Sequence, residues 1–164
     1  MTTRPAPALI GGATGPGSLI ANITRPLLLV CGASATVNRL SGHPHLGSLV
    51  QPRSGNRIDV IAQSGRYWAA DNDALAGIDP DRYMTMLNQI KATDRSRLLF
   101  VTVPDAVRMT ETGPIGDWAG TLWLFRSWQR ALIKRKLPAA IVLQDGATID
   151  TVPWDAIRAV FVGG

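Results

Sequence analysis

Four apolar runs in this sequence each end in small or polar groups that could form a chemical site. The groups after these runs are Asp71-Asn72-Asp73, Asp105, Gln144-Asp145-Gly146 and Gly163-Gly164. Carboxylates accept hydrogen bonds and transfer protons, amides both donate and accept, and glycine lets backbone N–H groups approach a ligand. Because the carboxyl ends of parallel strands meet at one edge of a sheet, the pattern predicts a single site.

The competing interpretation of the same carboxylates is structural. An Asp directly after a strand often caps the helix that follows it. For Asp73 and Asp145 we favour this capping role. For Asp71 and Asp105 we favour a role in the site.

The elements that must position these groups alternate between strand and helix. Strands are predicted at Leu27–Cys31, 67–70, 98–103, 139–143 and 159–162, with a further short strand or hairpin arm at Ile58–Ile61. Asp79 and Asp117 are predicted to cap two amphipathic helices, the second reaching about Lys136, and 153–158 is about one helical turn. Residues 49–55 and 106–115 are predicted to be polar turns or loops.

This βα alternation is typical of a parallel sheet or barrel. No Gly-x-Gly-x-x-Gly opens a helix, which disfavours a dinucleotide-binding fold. A complete eight-stranded barrel needs about 250 residues, and the chain has 164. We therefore predict an α/β protein with an incomplete TIM (β/α)8-type barrel of about five or six parallel strands in residues 27–164, preceded by an irregular arm in residues 1–26.

The charge balance favours an anionic partner. The formal net charge is +5 and 14 of the 17 cationic residues are Arg, whose planar fork matches phosphate. Arg53 and Arg57 flank Ser54-Gly55-Asn56, and Arg108 lies in the polar segment after Asp105; these three are the predicted nucleic-acid contacts. Biased Arg usage and ordinary solvated turns are the alternative. With neither a signal peptide nor a long apolar run, a cytoplasmic protein without membrane contact is expected.

Three other residue types invite functional interpretations. Cys31 is the only cysteine, so it forms neither an intrachain disulfide nor a Cys-based zinc site, and it is predicted to be buried. His43 and His45 could form a metal pair in a barrel hydrolase, but we favour a surface turn shaped by Pro44. Trp123 and Trp128 could stack on bases, but helical periodicity favours packing.

Taken together, four motifs resemble the tRNA-guanine transglycosylase superfamily. They are Trp-Ala-Ala-Asp71-Asn72-Asp73-Ala74, Val-Pro-Asp105, Val-Leu-Gln144-Asp145-Gly146 and Phe-Val-Gly163-Gly164. Their order and spacing look closest to the DNA-modifying, queuosine-related 7-deazaguanine transglycosylases, many of them phage-encoded. The resemblance covers roughly residues 27–164.

The resemblance implies base exchange in a polynucleotide, in which guanine is replaced by a 7-deazapurine such as preQ0 after the nucleotide is extruded. It implies a catalytic proton shuttle at Asp71, with Asn72 as its polar neighbour in the substrate site. It further implies that Asp105 and Gln144 read the guanine edge. Gly163 and Gly164 correspond to the glycine pair near the base, and no cofactor or metal is implied.

The chain also departs from this family. The family's nucleophilic Asp lies on a later strand, Leu75 stands where members often carry an aromatic residue, and the zinc site of the tRNA enzymes is absent. We therefore expect the N-terminal part of such an enzyme, inactive alone: a split-gene product, a truncation, or a form in which a second polypeptide completes the barrel. The alternatives are a non-catalytic half-barrel that binds nucleic acid or a partner, and a metal-dependent barrel hydrolase.

Overall fold

The computed structural model describes residues 26–31 and 42–162, together with the isolated positions 35 and 39. The predicted N-terminal arm, apart from its last residue, lies outside the described residues. So do Gly163 and Gly164, the predicted glycine pair.

Six strands form one curled, all-parallel sheet with the shape of half a barrel. The strands of the sheet are β1 (Leu28–Cys31), β2 (Leu46–Val50), β3 (Trp68–Ala70), β4 (Leu98–Thr102), β7 (Ala139–Leu143) and β8 (Ala159–Val162). The order of these strands in the sheet is the same as their order along the chain, as it is for successive βα units of a barrel. The predicted fold, an incomplete (β/α) barrel with five or six parallel strands, is confirmed.

Between β2 and β7, the described helices connect successive strands of the sheet. They are α1 (Ile58–Gln63), α2 (Pro80–Ala92) and α3 (Trp118–Lys134); short 3₁₀ turns lie at Ala74–Ala76 and Trp154–Ala156. The predicted caps are confirmed, because the Asp79 side chain accepts from the N–H groups of Asp81 and Arg82, and the Asp117 side chain accepts from that of Gly120. No helix in the described ranges is long and apolar enough to cross a bilayer.

The core lies between the sheet and the buried faces of these helices. Its largest fully buried side chains include Trp68, Tyr83, Leu87, Ile90, Phe125 and Leu132. The Tyr83 hydroxyl donates to the backbone oxygen of Thr102 at 2.7 Å, and its ring meets that of Trp128 edge-on. This arrangement ties α2 and α3 to the carboxyl end of β4, which carries Asp105.

Three local predictions were wrong. The predicted strand at Ile58–Ile61 is helix α1, whose buried residues Ile58, Ile61 and Ala62 have helical spacing; four alternating residues could not separate the two periods. Part of the segment assigned to polar turns is strand β2. Gly47 allows β2 to form, because a Cβ there would collide with the backbone oxygen of Tyr67 as well as with Leu29 Cδ2.

The third wrong prediction concerns the segment after Asp105. It is not a loop but an antiparallel hairpin of β5 (Ala106–Thr110) and β6 (Gly113–Asp117). The hairpin is fixed at its base, since the Ala106 N–H donates to the buried Thr121 hydroxyl at 3.0 Å. The strand signal in this segment is weak because Gly113, Pro114 and Gly116 all fall within β6.

Two predictions of burial were also wrong. Cys31 is exposed, because it ends the edge strand β1 and faces a cavity rather than the core. Trp123 is 66% exposed, since the apolar face of α3 is already filled by residues such as Phe125 and Leu132. Trp128, by contrast, packs against the core as predicted.

Candidate functional site

A cavity of about 500 Å³ opens at the carboxyl edge of the sheet. Its polar lining comes from the segments that leave β2, β3, β4 and β7, namely Gln51, Asp71, Asn72, Asp105 and Gln144. The β5–β6 hairpin forms one wall through Val107, Pro114, Ile115 and Gly116. The structure therefore brings together all the described side chains that the sequence placed at strand ends.

Asp71 is held by the two strands next to it. Its backbone N–H donates to Val50 O at 2.8 Å, which extends the pairing between β2 and β3 by one residue. Its side chain accepts from Gln51 Nε2 at 3.0 Å and from the Asn72 N–H at 2.8 Å. These donors fix a half-buried carboxylate that still lines the cavity.

Asn72 connects the ends of β3 and β4 and is only 1% exposed. Its Nδ2 donates to Val103 O at 2.9 Å and to Asp105 Oδ1 at 2.6 Å, while its Oδ1 accepts from the Ala74 N–H at 2.8 Å. Both amide hydrogens are thus used inside the protein. The geometry makes Asn72 a positioning residue for Asp105.

Asp105 is the most buried carboxylate of the cavity, at 5% exposure. Asn72 donates to one of its oxygens and Gln144 Nε2 donates to the other at 2.5 Å. Burial raises the pKa of Asp105 above its usual value, and the nearby Asp71 raises it further, while the two amide donors oppose the increase. Each oxygen keeps acceptor capacity for a donor in the cavity, since a carboxylate offers about four lone-pair sites.

Gln144 is positioned by the hairpin as well as by Asp105. A Cβ at Gly116 would lie 2.5 Å from Gln144 Cδ and 2.8 Å from Gln144 Cβ, so only glycine fits at this position of β6. Once Nε2 donates to Asp105, the amide's orientation is set. The β6 backbone therefore packs directly on a side chain of the cavity floor.

The rest of the cavity combines negative charge with an apolar rim. Asp73 and Asp145 add two carboxylates to the lining, whereas none of the described lining residues is Lys or Arg. Leu75, at 70% exposure, and Ile115 stand at the rim. Such a site suits a ligand with hydrogen-bond donors on its edge and apolar ring faces.

The two predicted capping carboxylates do not cap helices. Asp73 adopts a left-handed conformation (φ 62°) before the 74–76 turn, but its side chain makes no cap hydrogen bond and lies 3.6 Å from Arg53. Asp145 is exposed and is followed by turns rather than by a helix.

The three predicted nucleic-acid contacts have different surroundings. Arg53 Nη1 donates to Ala76 O at 2.6 Å and lies near Asp73, at the edge of the cavity. Arg57 pairs with Asp59 at 2.6 Å. Arg108 is exposed on β5.

The two histidines of the proposed metal pair lie at the opposite end of β2 from this cavity. His43 and His45 are exposed in the turn that precedes β2, whereas the cavity adjoins the other end of that strand. Within the described part of the chain, no group of three or more His, Cys, Asp or Glu side chains could hold a metal ion.

Two contributors to the site escaped the sequence prediction. Gln51 follows β2, which was not recognised as a strand, so its place at a strand end was hidden. Gly116 lies in the hairpin that was taken for a loop. Once β2 is known, the rule that strand ends carry the site would identify Gln51; no sequence signal marks Gly116.

No protein-family model, curated protein or solved structure matches this chain.

Proposed function

We propose that the chain is part of a guanine transglycosylase, which exchanges guanine for a 7-deazapurine in DNA, with tRNA the less favoured polynucleotide. The observation that carries the proposal is the convergence of Asp71, Asp105 and Gln144 on one cavity from three successive strand ends. The four strand-end motifs that resemble the transglycosylases supply the reaction class.

The hydrogen-bonding groups of the cavity match the edge of guanine. Guanine carries donors at N1 and at its exocyclic amine, and the buried Asp105 carboxylate is an acceptor that faces the cavity. One amide hydrogen of Gln144 bonds to Asp105, and the other is left for an acceptor such as O6 or N7. A volume of about 500 Å³ is within the range of small-molecule sites.

The reaction requires proton transfer as the bases exchange. The bond from C1′ to guanine N9 breaks as C1′ bonds to a carboxylate oxygen, and guanine leaves with a proton on its ring. The 7-deazapurine then loses its ring proton, attacks C1′ and displaces the carboxylate. Asp71, half-buried beside Asp105, is our candidate for moving these protons.

Asp105 is assigned to the base edge and Asp71 to proton transfer, so the nucleophile is left unassigned. We therefore expect the isolated chain to bind guanine without turnover. The proposed source of the nucleophile lies outside the described half-barrel, in further residues of the protein or in a second polypeptide. The cytoplasmic location remains a prediction.

Equilibrium binding and exchange test the proposal separately. Isothermal titration should show guanine binding to the isolated chain, and Asp105→Ala should abolish it. Asp150→Ala, which removes an exposed carboxylate outside the cavity, is the matched control. No incorporation of labelled guanine into DNA or tRNA is expected; turnover by the isolated chain would contradict the incomplete-enzyme part of the proposal.

The same variants distinguish the proposed enzyme from the alternative, a non-catalytic half-barrel that binds nucleic acid or a partner. In that case the wild-type chain binds oligonucleotides but not guanine, and Asp105→Ala leaves oligonucleotide binding intact. A metal-dependent hydrolase would instead require stoichiometric metal in the purified protein, absent from a variant of His43 and His45.

A further inference from the structure

The outward face of α3 carries a row of cations beside an exposed tryptophan. Trp123, Arg126, Arg130 and Lys134 are all exposed, and their spacing places them along one stripe of the helix. With a rise of about 1.5 Å per residue, the stripe is about 16 Å long and successive cations are about 6 Å apart. No residue of α3 is acidic.

Several other arginines are paired, whereas the cations of this stripe have no partner among the described residues. Arg53, Arg57 and Arg82 each pair with an Asp, and none of those pairs lies on α3. Within the described part of the chain, Arg126, Arg130 and Lys134 form no hydrogen bond or ion pair. Their charge is therefore available to an external anion.

Trp123 has no structural role that would explain its position. Its side chain is 66% exposed, while Trp118, Phe125 and Leu132 supply the buried face of the same helix. An exposed indole offers a flat surface on which a base can stack. The combination of cations with an exposed aromatic ring is the arrangement that binds single-stranded nucleic acid without sequence preference.

We propose that the stripe formed by Trp123, Arg126, Arg130 and Lys134 binds single-stranded nucleic acid, with phosphates on the cations and a base on the indole. A membrane surface is the less suitable partner, because the apolar face that an interfacial helix would insert is packed in the core. The stripe is separate from the strand-end cavity, and this inference does not depend on base exchange.

The test uses anisotropy of a labelled oligothymidine of about 12 nucleotides, titrated at several salt concentrations. The double variant Arg126→Ala/Arg130→Ala should weaken binding and reduce the slope of log K against log salt by about 1.4, which is about 0.7 for each phosphate that the protein no longer neutralises. The control Lys91→Ala/Arg158→Ala removes the same charge from exposed positions elsewhere and should leave the slope nearly unchanged. Circular dichroism should show both variants folded.

The indole is tested separately from the charges. Trp123→Ala should lower affinity about 5- to 150-fold without changing the salt slope, and Trp123→Phe should retain most of the affinity. Equal losses of affinity in the two double variants, or full affinity in Trp123→Ala, would overturn the proposal. So would competition by polyglutamate at equal charge, or binding to phosphatidylserine vesicles without binding to the oligonucleotide.

These measurements are independent of the cavity. Guanine binding should be the same in the α3 variants as in the wild-type chain. Loss of oligonucleotide binding with intact guanine binding therefore supports the α3 surface, whereas absence of guanine binding in all proteins counts only against the proposed base exchange.

Discussion

Replacing Asn72 by alanine should destabilise the protein far more than replacing an exposed asparagine would. The change removes one hydrogen bond to a carboxylate and two to backbone groups, at 2.6, 2.9 and 2.8 Å, from a side chain that is 1% exposed. A bond to a charged group contributes about 1.5–3 kcal/mol and a neutral one about 0.5–1.5 kcal/mol. The expected loss in the free energy of unfolding is therefore about 2.5–6 kcal/mol.

Urea and thermal unfolding followed by circular dichroism measure this loss. At about 2–4 °C per kcal/mol for a chain of this size, Tm should fall by at least about 5 °C. The control is Asn88→Ala, because Asn88 is exposed and accepts only from the Arg135 guanidinium, so its replacement should cost about 1 kcal/mol or less. If Asn72→Ala were no more destabilising than Asn88→Ala, the assigned positioning role would be wrong.

The substitution Asn72→Asp adds a pH signature to the same argument. It places a second carboxylate against Asp105 Oδ1, and mutual repulsion raises the pKa of the pair in the folded protein above that in the unfolded chain. The folded state then binds protons more tightly, so its stability rises as the pH falls from 7 toward about 4. Asn72→Asp should be less stable than Asn72→Ala at pH 7, with the gap narrowing at pH 5; a constant gap would refute the proximity of the carboxylates.

Three further predictions concern the cavity. Asp105→Asn should lower the free energy of unfolding at pH 7, because its new NH2 group would face one of the two amide donors, Asn72 Nδ2 or Gln144 Nε2, from which the carboxylate oxygens accept; equal stability of the variant and the wild type would contradict this. Wild-type guanine binding should weaken as pH falls through the raised pKa of Asp105, and an affinity that does not fall with pH would contradict that. Gly116→Ala should displace Gln144 and reduce guanine affinity in calorimetry, while Gly42→Ala, at a position with open space around it, should not. Cys31 should be alkylated by iodoacetamide in the folded protein and protected by bound guanine; labelling only after unfolding would show that it is buried.

The architecture was predictable where one local signal was strong. The runs at 98–103, 139–143 and 159–162 are short, apolar and bounded by turn residues, and all three are strands of the sheet. Asp79 and Asp117 were recognisable as helix caps because capping is a contact between near neighbours in sequence. Such contacts can be identified from sequence without knowledge of the fold.

The misassigned segments are those whose conformation depends on distant residues. Strand β2 contains Gly47 and Ser48, which have little strand propensity, and it forms because its backbone packs closely on Leu29 and Tyr67. The β5–β6 hairpin contains two glycines and a proline in one strand, and its base is held by Thr121. In both segments tertiary packing overrides weak local preference.

Chain order alone predicts that polar groups follow several parallel strands, and parallel pairing is enough to bring those strand ends to one edge of the sheet. The role of each group at that edge depends on the folded structure. Asn72 became a buried link between β3 and β4 rather than a group free to meet a ligand, and Gln51 and Gly116 joined the site. These differences arise because a side chain's orientation and hydrogen-bond partners depend on neighbours from other strands, which chain order does not specify.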